Sequence, residues 1–307
     1  MVLKAYRPLA GFLLLLILIL TSACRANPPS PTVAPVLPTP LPTPILDTPT
    51  AVPATPTPVP LAALVNGEGI TLQEYQEELA RYQAAQENVG TDMATVGEQL
   101  VLEDMVNQVL LAQAAAEAGY LVEQPMVEER LEQLASQIGG EQALVSWMAD
   151  NGYTEKSLTM FLARAMASAW MRDTIVNSIP ASVEQVRVRQ IRLNDAETAQ
   201  EALSRLASGR EFDELAYQFD PLMGGDLGWL PKGYLAEAVL DEAIFTLEPG
   251  EISPLIETGL GFHILKVIER EDQRPLSPDA RLVLQERALQ DWLDERRSQS
   301  EIQVLLP

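Results

Sequence analysis

A chain of 307 residues, 47% hydrophobic and 21% charged, has room for two modest domains and enough apolar residues to give each a core. Its formal charge of -22 argues against nucleic acid as a partner, because a phosphate backbone is bound by a cationic face that displaces counterions. A single His and a single Cys leave no zinc cluster and no intrachain disulfide.

The N-terminus reads as a targeting element. Lys4 and Arg7 precede the apolar run from Leu9 to Leu20, which is followed by Thr21-Ser22-Ala23-Cys24. That run is short for a membrane span, which needs about 20 residues. A Cys behind small residues at the end of such a run resembles a bacterial lipoprotein lipobox, here with Thr21 in the usual leucine position. The resemblance implies a signal peptide over 1–24, lipidation at Cys24, and attachment to the extracytoplasmic face of the cell membrane. An uncleaved signal anchor, or a Cys that is merely a small buried hydrophobe, are the alternatives.

Residues 25–60 are rich in Pro and Thr and nearly free of charge. Proline removes backbone donors and biases its neighbours toward extended conformations, so this stretch predicts a disordered, polyproline-like linker. At about 3.1 Å per residue it could span on the order of 100 Å, a spacer between a membrane and a folded domain. A ligand for proline-binding modules is the other reading.

Asn66-Gly67 predicts a tight turn between short extended pieces, and Thr71 with Glu74 forms a capping box at the start of a helix carrying Leu72, Tyr75, Leu79 and Tyr82. A second helix is predicted from about Glu98 to Ala118, with Leu100, Met105, Val109 and Leu110 inward. Pro125 suits the first turn of a third, which carries Leu131, Leu134 and Ile138 and ends at Gly139-Gly140. A short fourth holds Leu144, Trp147 and Met148, and Thr154 opens a fifth that Pro180 closes. Met105, Trp147, Met148, Met160, Trp170 and Met171 either line a groove for unfolded polypeptide or fill the core. A last helix is expected over about Pro278 to Ser298, with Leu282, Leu284, Leu289 and Trp292 on its apolar face, and it must dock on another element to bury that face.

Between Val183 and Asp272 the pattern changes. Val186 and Val188 alternate with Arg187 and Arg189 as in a strand, two short helices follow, a further helix is expected to hold Leu235, Leu240 and Phe245, and Phe262 to Ile268 reads as a closing strand. The Gly224-Gly225-Asp226-Leu227-Gly228 stretch lacks the Lys and Ser/Thr of a phosphate loop, and no nucleophile elbow is present. The fold class is α+β.

The order VRVRQIRL, ASGREFDELAYQF, GGDLGWLPKGYL and DEAIFTLEPGEISPLIETGLGFHILKVIE resembles a parvulin (PpiC-type) prolyl isomerase domain from end to end. The flanking helices, led by VNGEGITLQEY, resemble PrsA/SurA-type foldases. The resemblance implies a parvulin-like domain over 181–275 set into a split helical chaperone domain formed by 61–180 and the returning helix of 276–307. It also implies prolyl cis-trans isomerisation without metal or other cofactor, acting on unfolded or partly folded secreted polypeptides that contain X-Pro bonds. Leu227, Leu235 and Leu240 would line the pocket for the proline ring, with Thr258 on its rim. His263 occupies the second histidine position of the family and Asp220 the Cys/Asp position. Gln190 stands where the family usually carries its first histidine. Glutamine donates and accepts hydrogen bonds but does not titrate near neutrality. It therefore either maintains the polar network of an isomerase or marks a holdase that binds polypeptide without turnover; a scaffold for one envelope partner is a third reading.

Overall fold

The computed structural model describes residues 59–87 and 94–306; the signal segment, Cys24 and the linker as far as residue 58 lie outside them. Strand β1 (Leu61–Val65) turns into β2 (Glu68–Thr71) through Asn66 and Gly67, whose φ angles of 51° and 85° are the paired positive values a type I′ turn requires. Thr71 then opens α1 (Leu72–Glu87). Glu74 N donates to Thr71 Oγ1 at 3.1 Å and Thr71 N donates to Glu74 Oε2 at 2.9 Å, the reciprocal bonds of a capping box.

Helix α2 (Ala94–Glu117) buries Leu102, Met105, Val106, Val109 and Leu110 against Ile70 and Tyr75. Leu100, expected inside, is 45% exposed because it lies on the far side of the helix from that stripe. Helix α3 (Gln124–Ile138) has Pro125 in its first turn and stops at Gly139, where φ is 108°. Helix α4 (Glu141–Asp150) and α5 (Glu155–Asn177) complete this set, α5 being capped by Thr154, whose side chain accepts from Ser157 N. Val127, Leu144, Leu158 and Leu162 form the core of this region. Met105 is a buried member of its core, Trp147, Met148 and Met171 are partly buried against theirs, and Trp170 stacks on Tyr120 at 4.8 Å; Met160 is exposed.

The chain then builds β3 (Ser182–Leu193), α6 (Ala196–Ala207), α7 (Phe212–Phe219), β4 (Asp226–Pro231), α8 (Ala238–Thr246), β5 (Ile256–Thr258) and β6 (Gly261–Pro275). The strands form an antiparallel sheet in the order β4-β3-β6-β5. One face carries Ile191, Leu193 and Ile264 under Ala199, Ala202, Phe212 and Leu215 of α6 and α7. The other carries Val186, Val188, Leu265 and Val267 under Leu240 and Ile244 of α8. A sheet covered on both faces explains why the inner strands are apolar on alternate residues of both parities.

Entry and exit lie side by side. β3 pairs with β6 from Leu193 opposite Phe262 down to Ser182 opposite Pro275, and Leu276 N donates to Ala181 O at 3.0 Å. Buried Gln185 closes this neck by donating to the carbonyls of Arg274 and Pro275.

Helix α9 (Pro278–Ser298) returns to the first helices, packing Leu293, Leu289 and Trp292 with Leu111 and Ile175. Arg297 fastens it by donating to Asn107 Oδ1 at 2.8 Å and to Glu103 O at 3.1 Å. Leu282, expected on the docked face, is 65% exposed. Helix α5 ends at Asn177, level with Gln285, which donates to Val176 O, and leaves Leu282 without an acceptor. Past α9 the apolar tail forms β7 (Ile302–Val304), which pairs antiparallel with β1 and makes a three-stranded sheet in the order β2-β1-β7. Among the described residues no helix is long and apolar enough to cross a membrane.

Candidate active site

Alternation along β3 puts Gln190 on the same sheet face as Val186 and Val188, the face that α8 covers. Arg192 of β3 pairs with His263 of β6, so Gln190 lies diagonally across from His263, with its amide Nε2 2.6 Å from His263 Nδ1. On the other side, β5 brings Thr258 Oγ1 to 2.8 Å from His263 Nε2. An amide that donates to Nδ1 makes that nitrogen the acceptor and places the ring proton on Nε2, which then donates to Thr258. The Thr258 hydroxyl is oriented further by Leu260 N, which donates to it at 3.0 Å, and by its own longer bond to Gly261 O at 3.4 Å.

His263 is only 2% exposed. Burial, and after it the positive charge of Arg192, hold its imidazole below the ordinary value of 6.5, partly opposed by Glu237. The ring is therefore neutral at neutral pH, as a one-donor, one-acceptor bridge must be. With the ring buried and both nitrogens bonded, His263 is a strut between two half-buried polar groups, Gln190 and Thr258, rather than a side chain open to a ligand.

Leu235, which lies before α8 rather than in the helix expected there, and Leu240 join the same cluster as Leu230 and Ile256, on the sheet face that also carries Gln190. Leu240 is 5% exposed and forms the floor of the cluster, while Leu235 is half-buried. Leu227 is 37% exposed and sits at a bulge, where β4 steps from Asp226 to Gly228 as β3 steps from Arg189 to Val188. Asp220 is not joined to His263. Its carboxylate accepts from Met223 N at 3.2 Å and Gly225 N at 3.0 Å, folding the 220–225 loop on itself, and these backbone bonds hold it below the usual carboxylate range. It reaches the polar chain only indirectly, because Gly225 O accepts from Gln190 N at 2.8 Å. No side chain fits at Gly225: with φ at 69°, a Cβ there would meet Gln190 O at 1.9 Å.

One residue close to the site was not anticipated. Asp241, 6% exposed in the first turn of α8, accepts from Gly233 N at 2.8 Å and Leu235 N at 3.2 Å, which fixes the loop carrying Leu235. An acid in the first turn of a helix was a visible signal, but its backbone partners upstream of the helix were not.

Residues 187–269 match the PPIC-type PPIASE domain, and residues 58–146 match the SurA-like N-terminal domain. The chaperone SurA of Thiobacillus denitrificans is 29% identical over 253 residues, which cover 68% of this chain and 56% of that protein. The foldase protein PrsA of a Geobacillus species is 26% identical over 226 residues, covering 69% of this chain and 78% of the relative. The foldase protein PrsA of Caldanaerobacter subterraneus is 30% identical over 227 residues, covering 67% of this chain and 72% of the relative. The chain thus spans little more than half of the SurA relative but most of the two PrsA relatives. With a parvulin-type domain inserted between a SurA-like helical segment and the helix that returns to it, the chain belongs to the PrsA-type family of foldases.

Proposed function

We propose that the protein catalyses cis-trans isomerisation of X-Pro bonds in unfolded or partly folded polypeptides outside the cytoplasm. Rotation about that bond meets a barrier of roughly 18–20 kcal/mol from amide resonance, and no bond is broken, so neither nucleophile nor metal is required. What accelerates it is a site that binds the twisted amide better than the planar one. The observation that carries this reading is the neutral chain Gln190–His263–Thr258, two hydrogen bonds of 2.6 and 2.8 Å lying on the same sheet face as Leu235 and Leu240. An apolar wall would take the proline ring, and half-buried Gln190 and Thr258 would present fixed dipoles to the turning carbonyl. Leu227 extends the wall, and Asp220 acts by shaping the loop that pairs with Gln190.

In the proposed organisation, residues 1–24 are a lipoprotein signal, Cys24 carries the lipid, and 25–60 form the linker. Residues 61–180 with 276–307 hold the client, and 181–275 act on its prolines. The holding part is supported by a cleft of ≈ 400 Å³ among α1, α2, α9 and the C-terminal segment, with apolar surface from Tyr75, Leu102, Val106 and Ile302 and charged groups from Glu98, Glu103 and Arg297. Strand β7 also lies at an edge of its sheet, with Val304 59% exposed, and offers backbone groups to an extended chain.

Refolding of a protein whose slow phase is proline-limited tests the catalytic reading. Substoichiometric addition should accelerate that phase while leaving faster phases unchanged. A slow phase unaltered in rate, accompanied by reduced aggregation, would support the holdase instead.

A further inference from the structure

The loop from Gly233 to Leu235 carries a candidate wall of the ring pocket, and it is gripped from two sides by residues of different parts of the molecule. Asp241 of α8 takes its N–H groups, from Gly233 at 2.8 Å and Leu235 at 3.2 Å. Arg287 of α9 takes its carbonyls: Nη1 donates to Gly233 O and, at 3.3 Å, to Leu235 O. Helix α9 belongs to the returning segment, docked on α2 and α5 through Leu289, Trp292 and Leu293. It thus lies outside the sheet that holds His263. The contact is close as well as polar. A Cβ placed on Gly233, where φ is 84°, would lie 3.5 Å from Leu284 Cδ2 and 3.7 Å from Arg287 Cδ.

We infer that Arg287 is a positioning residue for the isomerase site, through which the docked helix α9 sets the placement of Leu235. Donors on one side and acceptors on the other define the loop backbone with little freedom, since a carboxylate can accept only the N–H groups and a guanidinium can donate only to the carbonyls. Charge-assisted bonds of this type are stronger than neutral ones, and Arg presents its donors in a rigid planar fork. Removing Arg287 leaves Asp241 holding one side only, so the wall stays formed but loses its fixed distance from Gln190 and Thr258. The inference rests on the proposed location of the ring pocket and adds a link from the helical part to it.

The test compares the full-length protein with Arg287→Met, Arg287→Lys and Gln290→Ala, using amide hydrogen exchange and binding of a short Ala-Pro peptide. Arg287→Met keeps the aliphatic stem and should speed exchange across 233–235 and weaken peptide binding by about 10- to 150-fold, the range set by the loss of a charged hydrogen-bond donor. Arg287→Lys should recover part of both effects. Gln290→Ala removes only an exposed bond of the same helix, to Asp294 Oδ1 at 3.0 Å, and should leave both readouts at the wild-type level. Unchanged exchange and binding in Arg287→Met would overturn the inference, as would the same losses in Gln290→Ala, because a general loosening of the helix rather than the grip would then be responsible. Turnover of the same peptide separates the two levels: wild-type protein without turnover, but with the Arg287-specific losses, would refute the proposed catalysis and leave the link standing.

Discussion

Replacing Gln190 by leucine removes one hydrogen bond and little else. The side chains are similar in size and position 190 is half-buried, so the apolar gain is small. The loss is specific: His263 Nδ1, 2.6 Å from the Gln190 amide, is left without its donor in a residue 2% exposed. A buried acceptor without a partner costs about 1–3 kcal/mol, and the sheet spanning β3 and β6 should be destabilised by that amount. Because His263 is the only histidine in the sequence, its imidazole nitrogen signals report the event without overlap. In the wild type, the hydrogen-bond polarity places the proton on Nε2. In Gln190→Leu, that tautomer should lose its preference, the opening free energy of β3 and β6 amides should fall by about 1–3 kcal/mol, and isomerisation should slow on the order of tenfold. Opening free energies and tautomer both unchanged would refute the claim that Gln190 and His263 act as a unit.

Stability should also follow the protonation of His263. Its folded value lies below 6.5, so the contribution is complete above pH 6.5 and is lost as pH falls from there toward the folded value, where the unfolded chain takes up a proton that the folded one resists. Denaturation midpoints between neutrality and pH 5 check this, and the decline should be absent in His263→Phe. Gly225→Ala should cost more than about 1–2 kcal/mol, since a side chain at φ 69° also collides with Gln190 O, and thermal unfolding measures it. Cys24→Ala should abolish incorporation of labelled fatty acid, and persistent label in that variant would remove the lipidation proposal.

Local chemistry was legible in the sequence wherever it acts over a few residues. Asn66-Gly67, the Thr71/Glu74 box, Pro125 at the start of α3 and Thr154 at the start of α5 all appear where their spacing places them, because turns and caps are decided by adjacent backbone and side chains. Features set by distant partners were not. β7 is a three-residue edge strand with no periodicity to read, and it exists because β1 offers it a partner more than 200 residues upstream. Leu282 looked buried by its spacing from Leu289, but α5 ends too soon to cover it.

The site divides in the same way. Motif order located Gln190, His263 and Thr258, and strand pairing joins them. It could not tell that His263 is enclosed, since burial is set by tertiary packing rather than by neighbours in sequence. Nor could it tell that the Asp220 carboxylate folds back on its own loop. The Arg287 contact with Gly233 spans 54 positions and two regions of the chain, and no local pattern announces it.

The central claim is that this polar chain and its apolar wall turn a prolyl bond. Two-dimensional exchange NMR on an Ala-Pro peptide tests it directly, because uncatalysed exchange takes roughly tens of seconds or more and gives no cross-peaks at short mixing times. Catalytic amounts of the protein should produce cis-trans exchange cross-peaks, weakened in Gln190→Leu. Peptide signals that shift on binding while no exchange cross-peak develops would contradict the account and leave a protein that holds prolyl chains without turning them.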